Sequence, residues 1–341
     1  MKEIKRILVA ADPTKGSDVH SQHALLRGIA LARQTNAELR VVVVCDYNEY
    51  LQASRSLDVG ALESAWRDHS ACKRAWLEGI VKSAGASPLS VSVDVAWDRP
   101  LHEGITRQVL RYEPDLVLKD THHHPAIARA LFTNTDWHLI RECPAPLMLV
   151  RTDAWAGASK ILAAVDPVHE KDKPAALDRK ILDTASFMAQ ALGRELHVIH
   201  VVEPIEALVS LEEGYVPIAL PVEEINRKLR LQHEQALHSV LAERHLPAGR
   251  MHLRRGSVRG ELIATAHELP AALVVMGAIA RTGLKRVVLG SSAERVLESI
   301  PCDVLIVKPD GFECPVERSG NALPWSALMA SRDYFKDPAL R

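Results

Sequence analysis

Short, nearly continuous apolar runs punctuate the chain. In the first half they are ILVAA (Ile7–Ala11), RVVVV (Arg40–Val44), DLVLK (Asp115–Lys119) and PLMLV (Pro146–Val150). Such runs suit strands buried on both faces, as parallel sheets require, rather than half-exposed strands that alternate apolar and polar positions. Longer stretches between them carry apolar residues at three- and four-residue spacing. HALLRGIALARQ (His23–Gln34) and ALDRKILDTASFMAQAL (Ala176–Leu192) are examples, and both predict amphipathic helices. Strands alternating with helices predict an α/β fold with a parallel sheet.

The pattern then repeats. RILVAADP (Arg6–Pro13) returns as KILAAVDP (Lys160–Pro167), and AELRVVVVCD (Ala37–Asp46) as RELHVIHVVE (Arg194–Glu203). PDLVLKDTHHHPAIARALF (Pro114–Phe132) stands against AALVVMGAIARTGLKRVVL (Ala271–Leu289), and each half closes on an apolar strand after a proline. A period of about 155 residues is a domain duplication, far longer than a solenoid unit. The expected architecture is two tandem doubly wound, Rossmann-like domains, each with about five parallel strands flanked by helices. The expected boundaries are residues 1–152 and 159–310, with 311–341 as a tail of no long periodicity.

Composition narrows the function without choosing it. The chain has 341 residues, 47% hydrophobic and 25% charged, with a formal net charge of -1, so no basic excess points to nucleic acid. Five widely spaced cysteines without a CxxC, no signal-peptide pattern and no membrane-length apolar run lead to the expectation of a cytoplasmic protein.

Ligands of doubly wound sheets gather beyond the carboxyl ends of the strands. In the second half Asp166 ends the first strand, where a carboxylate can accept hydrogen bonds from a base or ribose, or cap a turn. Further on, Gly277 follows a buried strand, and Gly290, Ser291 and Ser292 open a helix. Free backbone N–H groups, hydroxyls and the positive end of a helix dipole suit a phosphate; the same residues also make an ordinary capped helix. On these residues the chain resembles the universal stress protein family, in its tandem form, over about residues 3–310. The family signature G-x2-G-x9-G-[S/T] reads here Gly277-Ala-Ile-Ala280, nine residues, then Gly290-Ser291. The departure is Ala280, where the family carries glycine. The resemblance implies a stress-response protein that binds ATP or AMP, with Mg as companion ion, in the second half. It also implies that Ala164, Val165 and Asp166 lie on the adenine and ribose side, and that Val201 and Met276 pack near the nucleotide. It further implies an intramolecular pseudo-dimer of the two halves and the capacity to form a homodimer.

The first half has lost the signature. Asp120 falls opposite Gly277, His123 opposite Ala280, Thr133 opposite Gly290 and Asn134 opposite Ser291. The loop holds three consecutive histidines instead. Asp120, His122 and His124 form a candidate zinc set, since alternate side chains of an extended run share a side, and His102 after another strand is a candidate further ligand. The alternative is a solvated surface loop. His197 and His200 read as core or rim residues, and His233, His238 and His245 as a solvated helix face. Two other functions remain open: a binder of metal or another small molecule whose nucleotide sites have decayed, and a slow ATPase using Arg281, Lys285 or Arg286. Catalysis is not expected, because no GxxxxGK[ST] motif is present.

Overall fold

The structure, a computed structural model, describes residues 3–48, 59–123, 130–151, 155, 157–168, 176–205, 221–278 and 296–319. In the first half the strands are β1 (Arg6–Ala10), β2 (Glu38–Cys45), β3 (Val91–Trp97), β4 (Leu116–Asp120) and β5 (Leu147–Val150). In the second they are β6 (Lys160–Ala164), β7 (Glu195–Val202), β8 (Met251–Arg255), β9 (Ala271–Gly277) and β10 (Asp303–Val307). Neighbouring strands run in the order β3-β2-β1-β4-β5 in the first half and β8-β7-β6-β9-β10 in the second. All these pairings within each half are parallel. The chain divides into two compact units that follow the duplication, so the α/β tandem organisation expected from the sequence is what the molecule shows. The order reverses between β1 and β4, and again between β6 and β9, which opens a crevice at the strands' carboxyl ends.

The helices that cover the strands follow the apolar spacing. Helix α1 (His23–Thr35) buries Ala24, Leu25, Ile29, Leu31 and Ala32 and ends on Asn36 in the left-handed conformation, φ 55°. Asn tolerates that conformation as a helix stop. The first half continues with α2 (Val59–Ser83), α3 (Leu101–Tyr112) and α4 (Asn134–Glu142). The second half has α5 (Ala176–Ala191), α6 (Val222–Leu241) and α7 (Val258–Glu268). Helix α5 buries Leu177, Ile181, Leu182, Ala185 and Met188 against the sheet. Each such fully buried Leu or Ile side chain stabilises the fold by roughly 1.5–3 kcal/mol.

Helix α4 starts on a capping box. The Thr133 hydroxyl accepts from the Asp136 N–H, and the Asp136 carboxylate accepts from the Thr133 N–H at 2.7 Å. At the other end of the sequence, residues 311–319 group with the first-half unit. There the Cys314 thiol donates to the Glu142 carbonyl at 3.3 Å, and Arg318 pairs with Glu113 at 3.3 Å. Among the described residues no helix is long and apolar enough to cross a membrane.

Candidate functional site

The carboxyl ends of β6, β7 and β9 converge at the second half's crevice. Deeper residues of these strands, such as Leu162, Ala163, Val198, Ile199, Val274 and Val275, are fully buried. At the mouth the packing opens: Ala164, Asp166, Val201, Met276 and Gly277 are all half-buried, while Val165 between them stays buried. The Asp166 carboxylate is about a third exposed (35%). Its backbone N–H donates to the Asp178 carboxylate at 3.1 Å, tying the strand end to the first turn of α5.

A histidine relay underlies this mouth. His200 Nδ1 lies 3.1 Å from the Val165 carbonyl, and its Nε2 lies 2.7 Å from His233 Nδ1. A carbonyl only accepts, so His200 Nδ1 carries the hydrogen; a neutral His200 then accepts at Nε2 from His233. The two rings lie edge to edge, their planes 10° apart and their centroids 4.9 Å apart. His233 is therefore not part of a solvated face: it is 7% exposed, because α6 turns it inward onto β7. The amphipathic period of α6 allowed either reading, and only the contact with His200 decides it. A second pair, His197 Nδ1 and His252 Nε2, sits 2.9 Å apart on β7 and β8.

Burial lowers the pKa of His200, and the neighbouring His233 adds to the effect, while the Val165 carbonyl and Asp166 oppose it. Burial likewise lowers those of His197 and His252. The unfolded chain thus takes up protons below about pH 6.5 that the folded chain refuses. Stability is full above that pH and falls as the pH drops, by up to about 1.4 kcal/mol per pH unit for each such group. Denaturant titrations across this range should show the loss, and His200→Gln should flatten the slope. A stability that is level in wild type through the same range defeats the assignment.

Gly277 has a structural reason of its own. A Cβ there would lie 2.8 Å from Leu177 Cδ2 and 3.2 Å from Ile181 Cδ1, so the glycine lets α5 approach β9. Ala280, Gly290, Ser291 and Ser292, the remainder of the signature, lie outside the described residues. Beside the mouth, at the ends of β7 and β8, a cavity of 390 Å³ is lined by residues that include Val202, Asn226, Arg227, Arg230 and Arg255.

The first half fills the matching positions with side chains. Ala10 and Val44, opposite Ala164 and Val201, are 4% and 7% exposed. Lys119, opposite Met276, is buried and reaches the Asp136 carboxylate at 2.8 Å and the Asp120 carbonyl at 2.9 Å. Asp120, opposite Gly277, is 1% exposed; one oxygen accepts from the Ala24 N–H at 3.1 Å and pairs with Lys15 at 3.1 Å. Burial pushes its carboxyl pKa up, and Lys15 opposes the shift. Asp12, opposite Asp166, caps a short turn by accepting from Thr14 at 2.9 Å.

Of the candidate zinc set, Asp120 is thus engaged with Lys15 and the start of α1. The His122 backbone pairs with Leu131 in a two-residue antiparallel ladder, and His124 lies outside the described residues. His102 instead meets two residues that the sequence reading passed over, His138 and Glu142. Their His-x3-Glu spacing puts them on one face of α4, a signal that was available; that His102 faces them was not.

The sequence profile described as the Universal stress protein family matches residues 3–151 and 158–308. "Universal stress protein E" of Escherichia coli strain K12 is 28% identical over 322 residues, covering 93% of this chain and 98% of that protein. The "Universal stress protein E homolog" of Haemophilus influenzae is 25% identical, covering 90% and 98%. Among solved structures, a functionally unknown protein from Pseudomonas aeruginosa PAO1 matches with a TM-score of 0.66 at 24% identity, covering 98% of each chain. A universal stress protein from Archaeoglobus fulgidus matches at 0.60 and 16%, covering 89% and 98%.

Proposed function

Because the chain belongs to the universal stress protein family and carries two of its domains in tandem, we propose that it acts in the stress response by binding an adenine nucleotide, ATP or AMP, in its second half. The observation that carries this reading is the contrast between the crevices. Ala164, Val201, Met276 and Gly277 are half-exposed apolar or glycine positions at the ends of adjacent strands, where their counterparts Ala10, Val44, Lys119 and Asp120 are buried. An apolar mouth with one carboxylate suits a flat base beside a ribose hydroxyl. The family signature, with Gly290, Ser291 and Ser292 on the phosphates and Ala280 beside them, supports the same occupant. Binding, rather than turnover, suits the chemistry of the mouth: Asp166, Asp178 and His200 are engaged with one another and with the backbone.

Titration calorimetry of Mg-ATP and of AMP into the metal-stripped full chain tests the proposal. One equivalent should bind. Asp166→Ala should weaken it by about tenfold, a loss of about 1.4 kcal/mol. Gly290→Val should abolish binding, and Asp12→Ala in the first half should leave it unchanged. Heat that is absent from wild type, or that survives Gly290→Val and vanishes with Asp12→Ala, overturns the assignment to the second half.

A further inference from the structure

Strands β6 and β7 separate at the second-half mouth. Their ladder runs from Lys160 opposite Glu195 to Ala164 opposite Ile199, and one further bond follows it, from the Val165 N–H to the Ile199 carbonyl at 3.0 Å. In a continued parallel ladder the Val165 carbonyl would next accept from the Val201 N–H, two residues beyond Ile199. Among the described residues that bond is not made. The carbonyl instead meets the imidazole of His200, whose Nδ1 lies 3.1 Å away. We infer that His200 is a positioning residue for the adenine nucleotide: its Nδ1–H takes up the Val165 carbonyl just past β6, which fixes the Val165–Asp166 peptide and leaves the Val201 N–H at the mouth as a donor for the base. This rests on the proposed nucleotide site.

The Val165–Asp166 peptide is held at both poles. His200 takes its carbonyl, and the Asp178 carboxylate on α5 takes its N–H at 3.1 Å. A peptide unit is planar, so these two bonds set its orientation and with it the place of the Asp166 carboxylate. That carboxylate stands 4.0 Å from His200 Nδ1, too far for a hydrogen bond, and keeps to the mouth. The Val202 carbonyl accepts from Gly256 on the β8 side, so the backbone groups of Val201 face the opposite, β6 side. His233, reaching in from α6, donates to His200 Nε2 at 2.7 Å and so keeps the His200 hydrogen on Nδ1. Burial holds the His200 ring neutral against the pull of the Val165 carbonyl, Asp166 and Asp178.

The first half has no counterpart. The Ala11 N–H donates to the Val42 carbonyl at 2.8 Å, repeating the Val165–Ile199 bond, but the next residue is Val43, opposite His200. Val43 is fully buried, and its side chain offers nothing to the Ala11 carbonyl. An aliphatic side chain therefore serves this strand position where the crevice is filled. A buried imidazole, which must have its polar atoms met to be tolerated, stands only where the mouth is open.

Nitrogen NMR of the full chain with isotope-labelled histidine reads the tautomer. His200, assigned by the loss of its signals in His200→Asn, should carry its hydrogen on Nδ1 and leave Nε2 unprotonated. Calorimetry with AMP reads the consequence. Asparagine places its amide nitrogen as many bonds from Cβ as imidazole Nδ1, and glutamine as many as Nε2. His200→Asn should therefore keep the Val165 bond and bind AMP within about threefold of wild type. His200→Gln, which reaches only His233, should weaken AMP by about tenfold. The two variants should melt within a few degrees of each other, since each gives up one buried hydrogen bond, so the split lies in binding and not in folding. An Nε2–H tautomer in wild type overturns the inference. So does AMP binding by His200→Gln as tight as that of wild type. Wild type that shows the Nδ1–H tautomer but takes up no AMP overturns the nucleotide site itself, and the inference with it.

Discussion

Replacing Lys119 with methionine should cost the protein about 3–5 kcal/mol of stability, as read by denaturant titration of the full chain. Lys119 and Asp136 form an ion pair at 2.8 Å whose side chains are 9% and 0% exposed. Methionine keeps much of the volume and removes the charge, so Asp136 is left as a buried carboxylate with only the Thr133 N–H and hydroxyl, at 2.7 and 2.9 Å, to support it. The cost is the desolvation of that unpaired charge rather than the worth of the pair itself. Lys119→Met combined with Asp136→Asn should therefore recover most of the loss. The amide no longer buries a charge, and its oxygen still accepts from Thr133. If the single variant is as stable as wild type, Asp136 is not held as an anion and the buried network is not what fills the first-half crevice. The same variant bears on function: Lys119 occupies the position of Met276, yet its removal should not create nucleotide binding, because Asp120 and its Lys15 partner still close the crevice.

A comparable loss, again about 3–5 kcal/mol, is expected for Arg107→Leu. Arg107 lies on α3 with a side chain 4% exposed. It reaches Asp98, itself 3% exposed, and Glu103, each at 2.5 Å. Asp98 follows β3, so this fork ties α3 to the end of the sheet. The helix also rests unusually close there: a Cβ on Gly104 would lie 2.6 Å from Val44 Cγ1 and 2.7 Å from Asp98 Cβ. Arg107→Lys should lose less stability, since it retains a charge for Asp98, but a single ammonium cannot span both carboxylates in the fork geometry. Full stability in Arg107→Leu would show that Asp98 finds another partner and that α3 is held by packing alone.

Much of this molecule was legible in the sequence. The continuous apolar runs marked strands buried on both faces, and the return of RILVAADP as KILAAVDP marked the duplication. The Asp120, Thr133 and Asn134 replacements marked the half without the glycine signature. These features are local or repeat at a fixed offset, so a linear reading recovers them. The fate of individual polar groups was not local. Asp120 looked like a metal ligand beside three histidines, but the fold buries it against Lys15 and the first turn of α1, about a hundred residues away in the chain. His233 looked solvated on an amphipathic helix, but β7 presents His200 to it. His138 and Glu142 shared a helix face by their spacing alone, yet nothing in the sequence said that α3 would lay His102 across them. Periodicity and duplication are set by short-range geometry, and they determined the elements, their parallel arrangement and which half kept most of the glycine signature. Which charges are paired, which histidines are buried and which donors converge depends on the packing of residues distant in sequence, where desolvation makes every unpaired group costly, and the tertiary structure alone decided those.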